Sequence, residues 1–336
     1  MTAPTPATRP APLRIGTRGS DLALTQTTTV AEAIGAASGR DVELVRIRTE
    51  GDRSSASLST LGGAGVFAAA LREALLAGEC DVAVHSLKDL PTVPTPGLTV
   101  AALPHRADAR DVLCARDGRT LADLPQGARV GTGSPRRAAQ LRRHRPDLEV
   151  LDIRGNVETR LRRTEEDLHA VVLARAGLTR LGLLGRVTET LGPDIMLPAP
   201  GQGALAVECR TEDLDGPLGE SVRRIDHVPT RLAVLAERAV LRTLEAGCTA
   251  PVGAYATLHD GEPARLELRA GVFAPDGGEA LVRTASTAVP TEADVAALAE
   301  ETPDALDEQV WNHAVQLGER VAEEMLAEGA AKVAGL

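Results

Sequence analysis

Lys88 and Asp89 stand together in Cys80-Asp-Val-Ala-Val-His-Ser-Leu-Lys-Asp-Leu-Pro91, directly after an apolar run. Only two of the chain's 37 basic side chains are lysine, Lys88 and Lys332. Arginine is a planar fork of donors, whereas lysine is a compact charge on a flexible stem. A chain so rich in Arg that keeps Lys beside Asp89 points to a need for that shape there; the alternative is chance. Asp89 itself has two readings. A carboxylate among basic groups is held ionised and can stabilise a developing cation or handle protons. Equally, Asp89 can simply pair with Lys88 or start the turn before Pro91.

The second constellation is Gly131-Thr-Gly-Ser-Pro-Arg-Arg137. Its glycines allow a close turn, Ser134 suits an N-cap and Pro135 the first helical position. Free N–H groups and the dipole at a helix N-terminus bind anions, and Arg136 and Arg137 would add forked donors. A solvated basic helix face explains Arg142, Arg143 and Arg145, but it explains Arg136 and Arg137 less well, because a first-turn cation opposes the dipole. Ten arginines between Arg129 and Arg163 suggest a polyanionic ligand. No Gly-Lys-Ser/Thr phosphate loop is present, and Arg pairs equally well with carboxylates. Cys248 follows Gly247 at a helix stop. A helix C-terminus does not favour a thiolate, so on its own Cys248 reads as a turn cysteine that could also capture an electrophile.

These residues need a frame. Strand-like runs alternate with helical patterns: strand Leu13–Gly16, helix Leu22–Ala37, strand Val42–Ile47, helix Val66–Gly78, strands Asp81–Val84 and Leu98–Leu103. The alternation resumes with strand Ala128–Gly131, helix Arg136–His144, strand Leu148–Ile153, helix Val157–Asp167 and strand Ala170–Leu173. Such alternation predicts α/β layers on largely parallel sheets. Ligands then bind beyond the strands' carboxyl ends, where Thr17-Arg-Gly-Ser20, His85–Asp89, Gly131–Arg137, Arg154-Gly-Asn156 with Arg160, and Arg175 with Arg180 all fall. Hinges at Pro104–Arg110 and Leu197–Gly203 predict one α/β domain inserted in another: 13–104 with 204–226, and 105–203 between them. From about Pro229 the texture changes to a helix at Arg231–Leu244, three strands and a helical end broken at Pro303, a small α+β domain over 227–336. Residues 1–12 read as a disordered tail.

Composition excludes several classes. Phe67, Tyr255, Phe273 and Trp311 are all the aromatics and the net charge is −10, which argues against nucleic acid as partner. No apolar run approaches the ~20 residues of a membrane span, and the N-terminus has no apolar signal core, so a cytoplasmic protein is expected. Cys80, Cys114 and Cys209 read as buried hydrophobes, and the cysteine spacing matches no zinc pattern, so no metal is expected.

Taken in order, Thr17–Ser20, Val84–Pro91, Gly131–Arg137, Arg154–Val157 with Arg160, Ala176–Leu181, Leu197–Glu208 and Gly247-Cys248 resemble the porphobilinogen deaminase (hydroxymethylbilane synthase) family over about Leu13 to Tyr255. The resemblance implies two domains like type II periplasmic binding proteins plus a third. It implies a dipyrromethane cofactor on Cys248, and condensation of four porphobilinogen molecules, with loss of ammonia, into hydroxymethylbilane for porphyrin and heme biosynthesis. It makes Asp89 and Lys88 catalytic. Thr132, Ser134, Arg136 and Arg137 join them around the cofactor. Arg18, Ser20, Gln26, Ser86, Arg154, Gly155, Asn156, Arg160, Arg180 and Gln202 become the substrate lining, and the enzyme is expected to be monomeric. Departures lie at Thr60 and Ala64 in the loop before Phe67, at Asp21, and in Ala246-Gly-Cys-Thr-Ala-Pro251. The competing hypothesis is a two-lobed anion-binding module without catalysis, which requires neither Cys248 nor the Lys88–Asp89 pair.

Overall fold

The structure, a computed structural model, describes residues 11–47, 65–247, 250–301 and 310–335. Cys248, the loop with Thr60 and Ala64, the Pro303 break and residues 1–10 lie outside the described residues. Along the chain run β1 (Leu13–Thr17), α1 (Asp21–Ser38), β2 (Val42–Arg46), α2 (Gly65–Leu76), β3 (Val82–Ser86) and β4 (Leu98–Ala102). Next come β5 (Asp111–Ala115), β6 (Arg129–Gly131), α3 (Pro135–His144), β7 (Glu149–Leu151), α4 (Val157–Glu166), β8 (Ala170–Ala174), α5 (Arg175–Arg180) and β9 (Glu189–Leu191). Then follow β10 (Leu205–Arg210), α6 (Pro217–Arg223), α7 (Val228–Thr243), β11 (Val252–His259), β12 (Ala264–Phe273), β13 (Ala280–Val289), α8 (Glu292–Glu301), α9 (Asn312–Ala327) and α10 (Ala330–Ala334).

Two five-stranded sheets share one plan, with orders β2-β1-β3-β10-β4 and β7-β6-β8-β5-β9. In each, the first three strands are parallel. The fourth, β10 or β5, is antiparallel to both neighbours. That antiparallel strand is in each case the one the chain enters on crossing from the other sheet, which is the two-lobed plan of type II periplasmic binding proteins. The central strands β3 and β8 are nearly continuous buried apolar runs, as expected where helices cover both faces. The third unit is an antiparallel sheet, β11-β12-β13, with α7 and α9 packed into one aliphatic core with it.

Local chemistry sets the element ends. The Ser20 hydroxyl accepts from the Ala23 N–H to open α1, and Gly39 closes it in the left-handed region. The helix expected from Arg231 begins earlier, at Val228. Pro229 sits in its first turn, where its missing N–H costs nothing, and His227 caps it by accepting from Thr230 N–H. Strand β9 and helices α5 and α6 are absent from the sequence reading, which gives β5 no bounds.

The two crossing segments meet at one carboxylate. Glu237, on the buried side of α7, is 0% exposed. It takes a bidentate pair from Arg106 at 2.7 and 2.9 Å, the Gly201 N–H at 2.7 Å and the Ala256 N–H at 2.8 Å. Arg106 also donates from Nε to the Gln202 carbonyl at 2.8 Å. Glu237 therefore ties both crossings to the third unit. Gly203 fits between them because its φ of +88° and the Ala107 carbonyl, 2.5 Å from where a Cβ would sit, leave no room for a side chain.

Removing one partner of a buried ion pair leaves the other charge uncompensated, at a cost of about 3–5 kcal/mol. Glu237→Ala should lower stability by about that amount in urea unfolding at neutral pH. A loss near that of a surface substitution would mean the clamp holds nothing together.

Candidate active site

The carboxyl ends of the parallel strands face one cleft of about 1140 Å³, at or above the upper end of sites for drug-sized ligands, ~300–1,000 Å³. Its walls bring together Arg18, Ser20 and Gln26 from the β1–α1 region and Ser86, Lys88 and Asp89 from the end of β3. The second sheet contributes Ser134, Arg136 and Arg137 at the start of α3, Arg154, Gly155, Asn156 and Arg160 around the start of α4, and Arg180 on α5. Gln202 comes from the crossing segment. Gly247 and Ala250, on either side of the undescribed Cys248–Thr249 pair, also line the cleft. Thr132 does not: it is 3% exposed, behind the lining, and its hydroxyl accepts from the Ser134 N–H.

The α3 arginines are not a solvated face. Arg136 is 4% and Arg137 5% exposed. Both pair with Asp111 at the start of β5, each at 2.8 Å. Arg136 also donates to the Leu197 carbonyl and Arg137 to that of Val172. Burial pushes the Asp111 carboxyl up, but the two guanidiniums pull it further down, to about 2. An internal carboxylate thus offsets part of the first-turn charge that the sequence leaves unexplained. Sequence reasoning missed Asp111; the signal was an acid opening an apolar run just after a hinge. Ser134 occupies the N-cap position without a side-chain capping bond. Arg142 and Arg143 donate to the Pro275 and Gly278 carbonyls, and Arg145 pairs with Asp147, so these too are contacts and not merely a wet surface.

Gln202 is 1% exposed, and both ends of its amide are used. Nε2 donates to the Ala109 carbonyl at 2.7 Å and to Asp111 at 2.8 Å. Oε1 accepts from Lys88 and from Arg137, each at 3.3 Å. It links the Lys88–Asp89 turn of the first sheet to the Arg137–Asp111 pair of the second. Burial, then repulsion from Arg137, pushes the Lys88 ammonium down to about 8 despite Asp89 and Asp111 nearby.

Farther along the second sheet, Asn156 caps α4 by accepting from Thr159 N–H at 2.8 Å. Gly155 turns at φ +104°, which brings its carbonyl to Arg160 Nε at 2.8 Å. Arg180 donates to the Gly203 carbonyl at 2.7 Å. Burial, with repulsion from Arg137 and Arg154, pushes Arg160 down to about 10, and burial alone does the same to Arg180. Both remain charged at neutral pH with these bonds going to carbonyls. The lining carries eight basic side chains (Arg18, Lys88, Arg136, Arg137, Arg142, Arg154, Arg160, Arg180) against four acidic ones (Asp21, Asp89, Asp152, Glu158). A cleft with that excess suits a ligand bearing several carboxylates, with the Asp89 carboxyl group set among the basic walls.

Comparison with known proteins agrees with this geometry. The family model for the dipyromethane cofactor binding domain of porphobilinogen deaminase matches residues 13–216, and that for the enzyme's C-terminal domain matches residues 231–327. The chain belongs to the porphobilinogen deaminase family. Porphobilinogen deaminase of Leifsonia xyli is 55% identical over 96% of this chain and 94% of its own length. The Thermobifida fusca enzyme is 54% identical over 96% and 95%, and the Micrococcus luteus enzyme 53% over 95% and 93%. Dipyrromethane is the characteristic cofactor of the family, whose enzymes polymerise porphobilinogen into hydroxymethylbilane. Among the described residues, no helix is long and apolar enough to cross a membrane.

Burial of the Lys88 ammonium makes stability depend on pH. Below about pH 8 the ammonium is charged in both folded and unfolded chains, and its burial opposes folding. Between about pH 8 and its ordinary value of 10.5 the unfolded chain holds more protons, so wild-type stability gains with pH. In the ligand-free protein, Lys88→Met should unfold at higher urea than wild type below pH 8, with the difference shrinking toward pH 10.5. A difference that does not change with pH would show that Lys88 is not under this strain.

Proposed function

We propose that this cleft carries out the family's reaction, joining four porphobilinogen molecules head to tail with release of ammonia and then releasing the linear tetrapyrrole hydroxymethylbilane by hydrolysis. The observation that carries the assignment to these residues is the Asp89 carboxylate beside Lys88 at the end of β3, inside a cleft whose basic side chains outnumber its acids eight to four. Each porphobilinogen adds two carboxylates, so the growing product is a polyanion and needs such walls.

Dipyrromethane, when bound, supplies a protein-anchored pyrrole end to which substrate can be joined. The lining fits it: its excess of basic side chains suits a group that bears several carboxylates, and Gly247 and Ala250, which flank Cys248–Thr249, line the same cleft. We assign Cys248 as its thioether anchor. Lys88, Arg136, Arg137 and the Ser134 hydroxyl hold its side, with Thr132 supporting the turn from behind. Arg18, Ser20, Ser86, Arg154, Asn156, Arg160 and Arg180 bind substrate acetate and propionate groups, with the Gly155 backbone shaping that wall. Gln26 exchanges hydrogen bonds with Ser86 at 3.1 and 3.2 Å and orients it. Gln202, with its amide fully occupied, positions Lys88 and Arg137.

Asp89 does the chemical work. Loss of ammonia leaves a positively charged methylene-pyrrole, and attack by the next pyrrole moves positive charge onto that ring. A carboxylate already in place stabilises both without reorganising. The α/β body divides as 13–104 with 204–226 and 105–203, with 227–336 presenting the anchor cysteine. A monomeric, cytoplasmic enzyme supplying heme and related tetrapyrroles is the setting that suits this chemistry.

Intact mass and peptide mapping should find a two-pyrrole adduct on Cys248 of active protein, absent from Cys248→Ser, with Cys80, Cys114 and Cys209 unmodified; active enzyme with no adduct there would sink the anchor. Asp89→Asn keeps shape and removes charge. In folded, cofactor-loaded protein it should slow single-turnover porphobilinogen consumption by at least ~100-fold, the scale of losing one electrostatic stabiliser. Asp89→Glu should retain part of the rate. Wild-type behaviour of Asp89→Asn would reduce Asp89 to a turn residue.

A further inference from the structure

Behind Asp89 lies a buried titratable group that this mechanism leaves idle. His85, on β3, is 7% exposed. Its Nε2 lies 3.2 Å from Glu208 Oε2 on the neighbouring β10, within ion-pair range. Glu208 is 2% exposed and is held from its other side by Arg72 of α2, whose Nε lies 3.1 and 3.0 Å from its two oxygens and whose Nη2 lies 2.8 Å from Oε1. Burial pushes the Glu208 carboxyl up, but His85 and Arg72 outweigh it and hold the group ionised. A second cavity of about 30 Å³ has His85 and Asp89 in its walls, with Ser86, Gln26 and Arg18. Ala23, Ala68, Leu71 and Val84 make the rest of its wall, and it is large enough for one water, which needs ~10–15 Å³ and two to four polar partners.

We propose that His85, oriented by Glu208 and Arg72, takes up through this small cavity the proton that each condensation sheds beside Asp89. This rests on the assignment of Asp89 above. The C–N bond of the aminomethyl group breaks and its electron pair leaves on ammonia. The α-carbon of the accepting pyrrole forms the new C–C bond to the methylene carbon. The C–H bond at that α-carbon then breaks, its pair restores the aromatic ring, and a proton must go to a base. If Asp89 kept that proton, it would lose the charge needed to stabilise the next cation. Passing it to the imidazole restores the carboxylate, and ammonia becomes the final acceptor, so no further reactant is needed. The charged groups around His85 are Glu208 from β10, Arg72 from α2, Asp89 from the turn after β3 and Arg18 from the turn after β1. Glu208 compensates the imidazolium; Arg72 shares Glu208 and so keeps the proton from being trapped.

The test uses the holoenzyme. His85→Gln should load the cofactor by intact mass and keep the porphobilinogen KM within about 2-fold, while kcat falls at least ~100-fold, the low end of what acid–base groups contribute. Porphobilinogen deuterated at its free α-carbon should then show a larger kinetic isotope effect than with wild type, because proton removal has become slow. An unchanged kcat, or a lower kcat with the wild-type isotope effect, overturns the relay, since a merely structural lesion would not single out C–H cleavage. If His85→Gln fails to load, Arg72→Gln carries the test. It leaves Glu208 to the imidazole alone, which holds the proton there more tightly, so kcat should fall with the same enlarged isotope effect; a wild-type isotope effect overturns the proposal. Wild-type protein that does not consume porphobilinogen would instead overturn the assigned reaction, so the two failures are distinct.

Discussion

A cleft built to hold a polyanion must gather like charges, and the rest of the structure depends on how those charges are kept from driving the lobes apart. Two unit charges 4 Å apart interact by ~1 kcal/mol in bulk water but ~4 kcal/mol where the effective dielectric is near 20. Buried guanidiniums in this cleft floor feel the larger figure. The chain answers with two carboxylates at 0% exposure, Asp111 and Glu237. Asp111 lies under Arg136 and Arg137 at the point where the chain enters the second sheet. Glu237 lies under Arg106 where both crossings meet the third unit. Neither is arranged for catalysis. Together they allow the positive excess at the surface of the cleft to be carried by a rigid floor.

The same constraint separates the roles of lysine and arginine. Arg160 and Arg180, even when pushed down to about 10, stay charged throughout the physiological range, so the walls are permanently cationic. Lys88, at about 8, is the base whose charge responds to its surroundings. A carboxylate arriving beside it would favour the ammonium, so ligand and protonation reinforce each other there. Gln202 contacts Lys88 and Arg137 at once, so the responsive charge of one lobe is mechanically linked to the permanent charge of the other. That link explains why a fully buried amide sits in a segment the chain otherwise uses only to cross between sheets.

Much of this was legible in the sequence, and the failures have physical causes. The alternation of strands and helices, the residues at the strand ends and the hinges all rest on local patterns, which local reading recovers. β5 gets no bounds from the sequence because its apolar run opens with Asp111 between Arg110 and Arg116, and the charges mask a buried strand whose acid is paired by α3, some way along the chain. Pro229 reads as a boundary, yet it starts α7, because a proline's missing N–H matters only after the first turn. Glu237 lies on the same stripe of α7 as the buried Ala233 and Val240, where a charge contradicts the pattern; only its long-range partners Arg106, Gly201 and Ala256 make it intelligible. Arg142 and Arg143 look like a solvated face because nothing local shows that the turn after β12 will lie against them.

Those last contacts show where the body can yield. α3 meets the β12–β13 turn through exposed guanidinium-to-carbonyl bonds and a small apolar patch of Ala139, Leu197 and Phe273. Exposed hydrogen bonds of this kind each contribute little net free energy, about 0.5–1.5 kcal/mol. The Glu237 clamp, by contrast, cannot be opened without stranding a buried charge. A ligand that lengthens by one pyrrole at a time needs growing space, and the least costly place to find it is the seam between α3 and the third unit. Arg136 and Gln140 tie the start of α3 to Leu197 of the second crossing, so the give is confined to the end of the helix that carries Arg142 and Arg143, while the Glu237 clamp keeps both crossings fixed to the third unit. The difference between a buried ion pair and a surface carbonyl contact thus sets which parts of the cleft stay fixed and which can give way.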